Sequence, residues 1–243
     1  MTTVREAVDQ VLRTQAASGK PLAIMVAGHN GSGKSTMWTK LLAPALQIPL
    51  VNADRMMMSI LPEPSGGRLP AWAASLRDDN EDWMKVAQKG VEAFVVQAMG
   101  HGVPFAMETV FSHWEDLGDG RFASKIDRIR EMQDAGYFVL LLFVGLSDAQ
   151  LSIGRVVTRI AQGGHAVEVQ KLIDRFPRTQ QAIAAAVSVA DAAVLTDNSR
   201  EQSDAFTVCR IQIGEAEIFD LRAEPDPTPE AISTWLDRVA QCP

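Results

Sequence analysis

The chain has 243 residues, with 23 Lys and Arg against 30 Asp and Glu, a formal net charge of −7. That balance argues against general nucleic-acid binding, which needs a basic face to displace phosphate counterions, and against attraction to an anionic membrane. Two cysteines, Cys209 and Cys242, are too few for a disulfide framework or a Cys-rich zinc site.

In chain order, Val4 to Ala17 carries apolar residues at helical spacing, and Ser18-Gly19-Lys20-Pro21 stops it. MTTVREAVDQVLRTQ, which overlaps that helix, lacks the apolar stretch of a signal peptide. No apolar run approaches the ~20 residues that span a bilayer, so a cytoplasmic location is expected. Leu22 to Ala27 is a continuous apolar run bounded by turn residues, the pattern of a strand buried on both faces. A Gly-rich loop follows, then a helix over Ser35 to Leu46 and a short strand over Ile48 to Val51. Leu61 to Pro70 (LPEPSGGRLP) reads as a surface loop. Glu81 to Gly100 is an amphipathic helix, Pro104 to Met107 a third strand and Ser124 to Ala135 another helix. Tyr137 to Val144 (YFVLLLFV) is the most apolar strand. Ser147-Asp148-Ala149-Gln150 has the capping-box pattern for a helix running to Ile160. Gly163-Gly164 breaks it, and Val167 to Val189 is helical with a potential interruption at Pro177. Ala192 to Leu195 is a fifth strand, Phe206 to Ile213 and Glu217 to Leu221 form a hairpin, and Thr228-Pro229 supplies an N-cap and first-turn proline for a helix ending at Ala240. Strands alternating with helices predict one α/β domain, a mainly parallel sheet in three layers with helices on both faces.

Gly28-His29-Asn30-Gly31-Ser32-Gly33-Lys34-Ser35 matches G-x-x-x-x-G-K-[ST] at every fixed position. Glycines let backbone N–H groups turn inward around phosphate oxygens, and the helix that begins at Ser35 offers its positive end to the same anion. Lys34 reaches the terminal phosphates as a point charge, and the Ser35 hydroxyl takes one position on Mg²⁺. A chance match somewhere in a chain of this length is expected on the order of one per cent of the time. The flanking strand and helix make the pattern that of a P-loop NTPase binding ATP through Gly28 to Thr36.

In an open parallel sheet, ligands collect at the C-terminal ends of the strands. Asp54, Glu108, Asp191 and Asp197 lie near such ends, and Asp191 is discounted because it precedes its strand. Phosphoryl transfer to a hydroxyl needs a positioned acceptor for the hydroxyl proton. Asp54 and Glu108, at the ends of the strands expected to flank the phosphate loop, are the candidates, and Glu108 also stands where motor-type ATPases place a Mg²⁺-site Asp. Arg155 and Arg159, four apart on one predicted helix, precede the Gly163-Gly164-His165 turn, and Arg175 and Arg178 follow it. A helix, a flexible turn and a second helix bearing arginines suit a kinase lid over about 148–180. His29 reads as a variable loop position, His101 and His113 lack metal-type spacing, and Met56-Met57-Met58 reads as core filler.

Taken together, AGHNGSGKST, LVNADR, FAMETVFS, GRVVTRIAQGGHAVEVQKLIDRFPR and DAAVLTDNS resemble the bacterial zeta-toxin-like P-loop kinases, over Pro21 to Ser199. The ordered set, especially R-V-x-x-R-x-x-x-G-G-H followed by R-F-x-R, is far more specific than the phosphate loop alone. The resemblance implies a P-loop kinase that uses ATP and Mg²⁺ to phosphorylate a sugar hydroxyl of UDP-N-acetylglucosamine, with a separate antitoxin protein as possible partner. It implies that Lys34 and Ser35 hold phosphate and metal, that Asp54 activates the acceptor hydroxyl, and that Glu108 and Thr109 lie on the substrate side. Arg155, Arg159 and His165 fall on the lid. The studied toxins carry an Arg near the position of His165, and often a second Thr or Gly in the Glu108-Thr109-Val110 element. Two other readings share these features: a P-loop kinase of a sugar, antibiotic or nucleoside, and a nucleotide-binding interaction module without transfer chemistry.

Overall fold

The computed structural model describes residues 2–66, 68–118, 122–161 and 167–240. Helix α1 (Val4–Ser18) precedes strand β1 (Leu22–Gly28). It starts at Thr3, whose hydroxyl accepts from the Glu6 N–H while the Thr3 N–H donates to the Glu6 carboxylate at 2.8 Å, satisfying two first-turn donors at once. The phosphate loop leads into α2 (Lys34–Met37), which passes through one π-helical turn (Trp38–Leu42) into α3 (Ala43–Leu46). Then come β2 (Leu50–Val51), α4 (Ala53–Ser59), α5 (Ala71–Asp79), α6 (Glu81–His101) and β3 (Phe105–Thr109). A small antiparallel pair, β4 (Trp114–Asp116) and β5 (Phe122–Ser124), is followed by α7 (Ile126–Asp134) and β6 (Phe138–Gly145). The remainder is α8 (Ala149–Ala161), α9 (Val169–Val187), β7 (Ala192–Asp197), β8 (Thr207–Ile213), β9 (Ala216–Asp220) and α10 (Glu230–Val239).

The main sheet has the order β2-β3-β1-β6-β7-β8-β9, parallel through β7 and antiparallel at β8 and β9. Side chains alternate between its faces, so a strand buried on both sides must be apolar throughout. On β6, Val139, Leu141 and Phe143 enter the core under α7, α9 and α10, whereas Phe138, Leu140, Leu142 and Val144 enter the core under α1 and the π-helical turn. The parallel register aligns the carboxyl ends of the central strands: Val26 is opposite Glu108, Ala27 opposite Thr109, and Gly145 opposite Asp197. The loops that follow these strands therefore open onto one edge, where the site lies.

Several expectations need correction. The strands flanking β1 are β3 and β6, so Asp54 follows a strand one place further out than a neighbour of the phosphate loop. Asp54 also sits in the first turn of α4, which Asn52 caps by accepting from the Arg55 N–H at 3.2 Å. Asp148, not Ser147, caps α8: its carboxylate accepts from the Leu151 N–H at 2.7 Å, and the Ser147 hydroxyl donates to Asp148. Pro177 does not interrupt α9. The carbonyl its ring leaves without a donor belongs to Ile173, on an exposed stretch where water can serve. Thr228 does not cap α10, because its hydroxyl donates to the Leu221 carbonyl at 3.0 Å, and the helix begins after Pro229.

Candidate active site

The phosphate loop is held from behind by the loop after β7. Gly33 has φ +94°, and a Cβ there would lie 2.6 Å from the Asn198 amide nitrogen, so only glycine fits. That amide donates to the Ser32 carbonyl at 2.8 Å. Asp197 is fully buried, accepts from the Ser199 N–H and hydroxyl, and faces Arg200 at 3.7 Å. It orders the turn that carries Asn198. Asp191, at the opposite end of the sheet, accepts from the Val139 N–H at 2.8 Å.

Lys34 is buried, and its ammonium donates to the carbonyls of Gly28 and His29 at 3.0 and 2.9 Å. Burial pushes its pKa down to about 8; Glu108 and Asp54 act upward against Arg159 and Lys125. Ser35 and Thr36 are exposed at the start of α2, with backbone N–H groups free of the intrahelical pattern. The Ser35 hydroxyl lies 2.9 Å from both oxygens of Glu108. A hydroxyl and a carboxylate converging at a phosphate loop form an oxygen-donor set suited to Mg²⁺, which keeps several waters and substrate oxygens and needs few protein ligands.

Beside them is a cavity of about 850 Å³ whose wall includes Asn30, Gly31, Lys34, Asp54, Glu108 and Thr109. Its described lining carries seven Lys and Arg (Lys34, Arg77, Lys125, Arg159, Lys171, Arg175, Arg178) against three carboxylates, Asp54, Glu108 and Glu168. In a chain of net charge −7, this local excess of positive charge marks the cavity for anionic ligands.

Helices α8 and α9 both grip the phosphate loop directly. The Ser152 hydroxyl of α8 donates to the Asn30 carbonyl at 2.7 Å, and a Cβ on Gly31 would come within 3.0 Å of the Arg155 Cβ. From α9, Phe176 stacks on His29 with ring centroids 4.0 Å apart and planes 11° apart, while Phe143 meets the His29 ring edge-on. His29 thus packs against α9 and β6, a role that its reading as a variable loop position did not include. Burial, then the Lys34 charge, pushes its pKa down to about 3, and its Nε2 has no hydrogen-bond partner. The arginines separate. Arg159, Arg175 and Arg178 line the cavity, whereas Arg155 packs against Gly31, with burial lowering its pKa and Asp197 opposing that effect. His165 lies outside the described residues.

Several cavity residues carried no signal in the sequence. Lys125 sits between β5 and α7, outside any motif, and its ammonium donates to the Thr109 hydroxyl. His113 reaches the wall through the segment after β3. Asn80, the N-cap of α6, and Met84 and Gln88, one turn apart on that helix, also line it.

The sequence profile of the zeta toxin family matches residues 6–204. An uncharacterised protein of Haemophilus influenzae is 27% identical over 145 residues, covering 60% of this chain and 85% of that protein. Among solved structures, one of the PezAT chromosomal toxin–antitoxin system of Streptococcus pneumoniae covers 98% of this chain and 88% of that one, at 14% identity and a TM-score of 0.54. The AvrRxo1-ORF1:-ORF2 complex with ATP covers 97% of this chain and 68% of that one, at 13% identity and a TM-score of 0.60. At these identities the structural likenesses speak for the fold. Among the described residues, no helix is long and apolar enough to cross a membrane.

Proposed function

The chain belongs to the zeta toxin family, and we propose that it transfers the γ-phosphoryl group of ATP to a hydroxyl of a nucleotide sugar, most simply UDP-N-acetylglucosamine. The observation that carries this reading is one cavity bringing together the phosphate-loop lysine, the Glu108 carboxylate that meets the Ser35 hydroxyl, and Asp54 under a strongly cationic lining. A nucleotide-binding module without transfer chemistry would not need an exposed carboxylate facing that space.

In this mechanism the loop N–H groups and Lys34 hold the β- and γ-phosphates. Lys34 exchanges its contacts with the Gly28 and His29 carbonyls for phosphate oxygens, which raises its lowered pKa. Ser35 and Glu108 would hold Mg²⁺, which neutralises charge on the phosphates. The acceptor hydroxyl forms a bond to the γ-phosphorus as the bond to the β–γ bridging oxygen breaks. Asp54 accepts the hydroxyl proton, and ADP leaves. Arg159, from α8, stabilises the charge on the transferring group. Arg155 acts indirectly, by seating α8 on Gly31. The toxin–antitoxin assembly of the PezAT relative suggests a separate antitoxin protein as partner.

An acceptor screen tests the reading. ADP production with ATP and Mg²⁺ should rise well above the basal rate on addition of UDP-N-acetylglucosamine. Stimulation only by a nucleoside or a free sugar would replace the nucleotide sugar with that class. No stimulation by any acceptor would favour the interaction module.

A further inference from the structure

Three consecutive residues of the phosphate loop meet the helices that follow β6, and they do so by different means. Asn30 and Gly31 meet α8 through the backbone: the Asn30 carbonyl accepts from the buried Ser152 hydroxyl, and Gly31 lies against Arg155, where a Cβ would come within 3.0 Å. His29 meets α9 through its side chain, stacked on Phe176. His29 is 3% exposed and Phe176 8%, so the stack is shielded from water. On its other side the His29 ring meets Phe143 edge-on, and Phe143 meets Trp235 of α10 in the same way, so the stack is backed by the core. The main chain of His29 serves the loop itself, because its carbonyl accepts from the Lys34 ammonium at 2.9 Å. Phosphates at the loop draw that ammonium to themselves. One residue therefore has its backbone on the phosphate-binding machinery and its ring on α9. Helix α9 is short of one of its own bonds at this turn. Pro177 follows Phe176 and has no N–H for the Ile173 carbonyl, so the helix ladder holds this turn less firmly than its neighbours. Arg175 and Arg178, on either side of Phe176, line the cavity, and the Arg178 Nε donates to the Asp174 carbonyl of the same helix at 3.0 Å. Their place depends on where α9 is held.

We infer that His29 is a positioning residue: its ring fastens α9 to the phosphate loop, so that nucleotide bound at the loop steadies the helix that carries Arg175 and Arg178. The inference rests on the reading of the loop as the ATP site, and adds a path by which bound nucleotide organises the rest of the cavity. The path is a run of direct contacts, from phosphate to Lys34, to the His29 peptide, to the His29 ring and to Phe176. It depends on the residue type at position 29 and not on the loop backbone, since alanine there would keep the loop N–H groups and remove the stack. The ring acts by shape. Its Nε2 is buried without a partner, which costs stability and earns no hydrogen bond, so a phenyl ring serves the same purpose. The coupling is reciprocal: the factor by which nucleotide steadies α9 is the factor by which a fastened α9 strengthens nucleotide binding.

The test reads hydrogen exchange by mass spectrometry, with and without Mg²⁺ and a non-hydrolysable ATP analogue. It compares the amides of α9 with those of α1, which packs on the other face of the sheet. In the native chain the analogue should slow exchange in α9 by about three- to tenfold, the usual worth of a stacked aromatic pair. His29→Ala should lose that slowing and bind the analogue about three- to tenfold more weakly by calorimetry, whereas His29→Phe should keep both within about twofold. Phe176→Ala should match His29→Ala, and the double variant should be no worse than either single one, the mark of one shared contact. A merely structural role for His29 would speed exchange in α1 and α9 alike and leave the nucleotide-dependent slowing in place. Should His29→Ala fail to fold, Phe176→Leu, which keeps apolar bulk and removes the stack, carries the same comparison. Three outcomes would overturn the inference: equal slowing of α9 in the native chain and His29→Ala, no slowing in a native chain that binds the analogue, or a His29→Phe variant that behaves as His29→Ala does. Transfer assays are independent of these readings. A chain that binds the analogue and steadies α9 through His29 but transfers nothing would retain the inference and lose the proposed reaction; one that binds no nucleotide would lose both.

Discussion

Replacing His29 with Phe should remove a large part of the protein's acid sensitivity. The native ring is buried between Phe176 and Phe143, with its Nε2 unpartnered and its pKa pushed down to about 3 by burial and by the Lys34 charge. In the unfolded chain a histidine titrates near 6.5. Between these values the unfolded state binds a proton that the native state does not, so stability is fully present above pH 6.5 and falls as the pH drops. The slope approaches about 1.4 kcal/mol per pH unit, giving a loss of roughly 2 kcal/mol at pH 5. Phenylalanine keeps the stack and carries no titratable group. Urea unfolding followed by tryptophan fluorescence, at pH 7.5 and pH 5.0, measures the effect in both proteins. The drop in unfolding free energy should be about 2 kcal/mol smaller in the variant. At pH 7.5 the variant should be equal or more stable, since it no longer buries an unpaired polar atom. Equal pH dependence in the two proteins would show that His29 titrates as an exposed residue and would refute the packing described between the phosphate loop and α9.

For Lys34, with a pKa of about 8 in the free protein, ATP affinity should fall as pH rises above 8, by up to about tenfold per unit, because binding then requires proton uptake; Lys34→Met should bind weakly with a flat profile and show no transfer. Asp54→Asn keeps shape and removes basicity, so kcat should fall by about 10² to 10⁴ with little change in the KM for ATP; a near-normal kcat would make Asp54 a helix-terminus acid and shift the general-base role to Glu108. Glu108→Gln should raise the Mg²⁺ concentration needed for half-maximal rate by about tenfold or more, read from metal titrations at saturating ATP, and an unchanged requirement would remove Glu108 from the metal site.

What the sequence disclosed follows from the range of the interactions involved. The central strands were legible because burial on both faces leaves an unbroken apolar run, as in Leu22 to Ala27 and Tyr137 to Val144. The phosphate loop was legible because its requirements are local: a left-handed Gly33, a lysine and a hydroxyl in fixed order. The order of the strands was not, since nothing near Asp54 shows that β3 inserts between its strand and β1. The nine-residue α5 and the three-residue strands β4 and β5 are too short to display a clear period, and they escaped a periodicity reading. The split between Arg155 and Arg159 turns on the close approach of Gly31 to α8. His29 and Lys125 were missed for the same reason, because the ring that covers one and the hydroxyl that receives the other come from remote elements.

The most direct test of the account follows the phosphoryl group itself. With γ-labelled ATP, Mg²⁺ and UDP-N-acetylglucosamine, the products would be separated and the label located by mass spectrometry. The account predicts label in a covalently phosphorylated nucleotide sugar, formed in step with ADP and absent with Asp54→Asn. Label found only in inorganic phosphate or unreacted ATP, across nucleotide sugars and sugar phosphates alike, would contradict it.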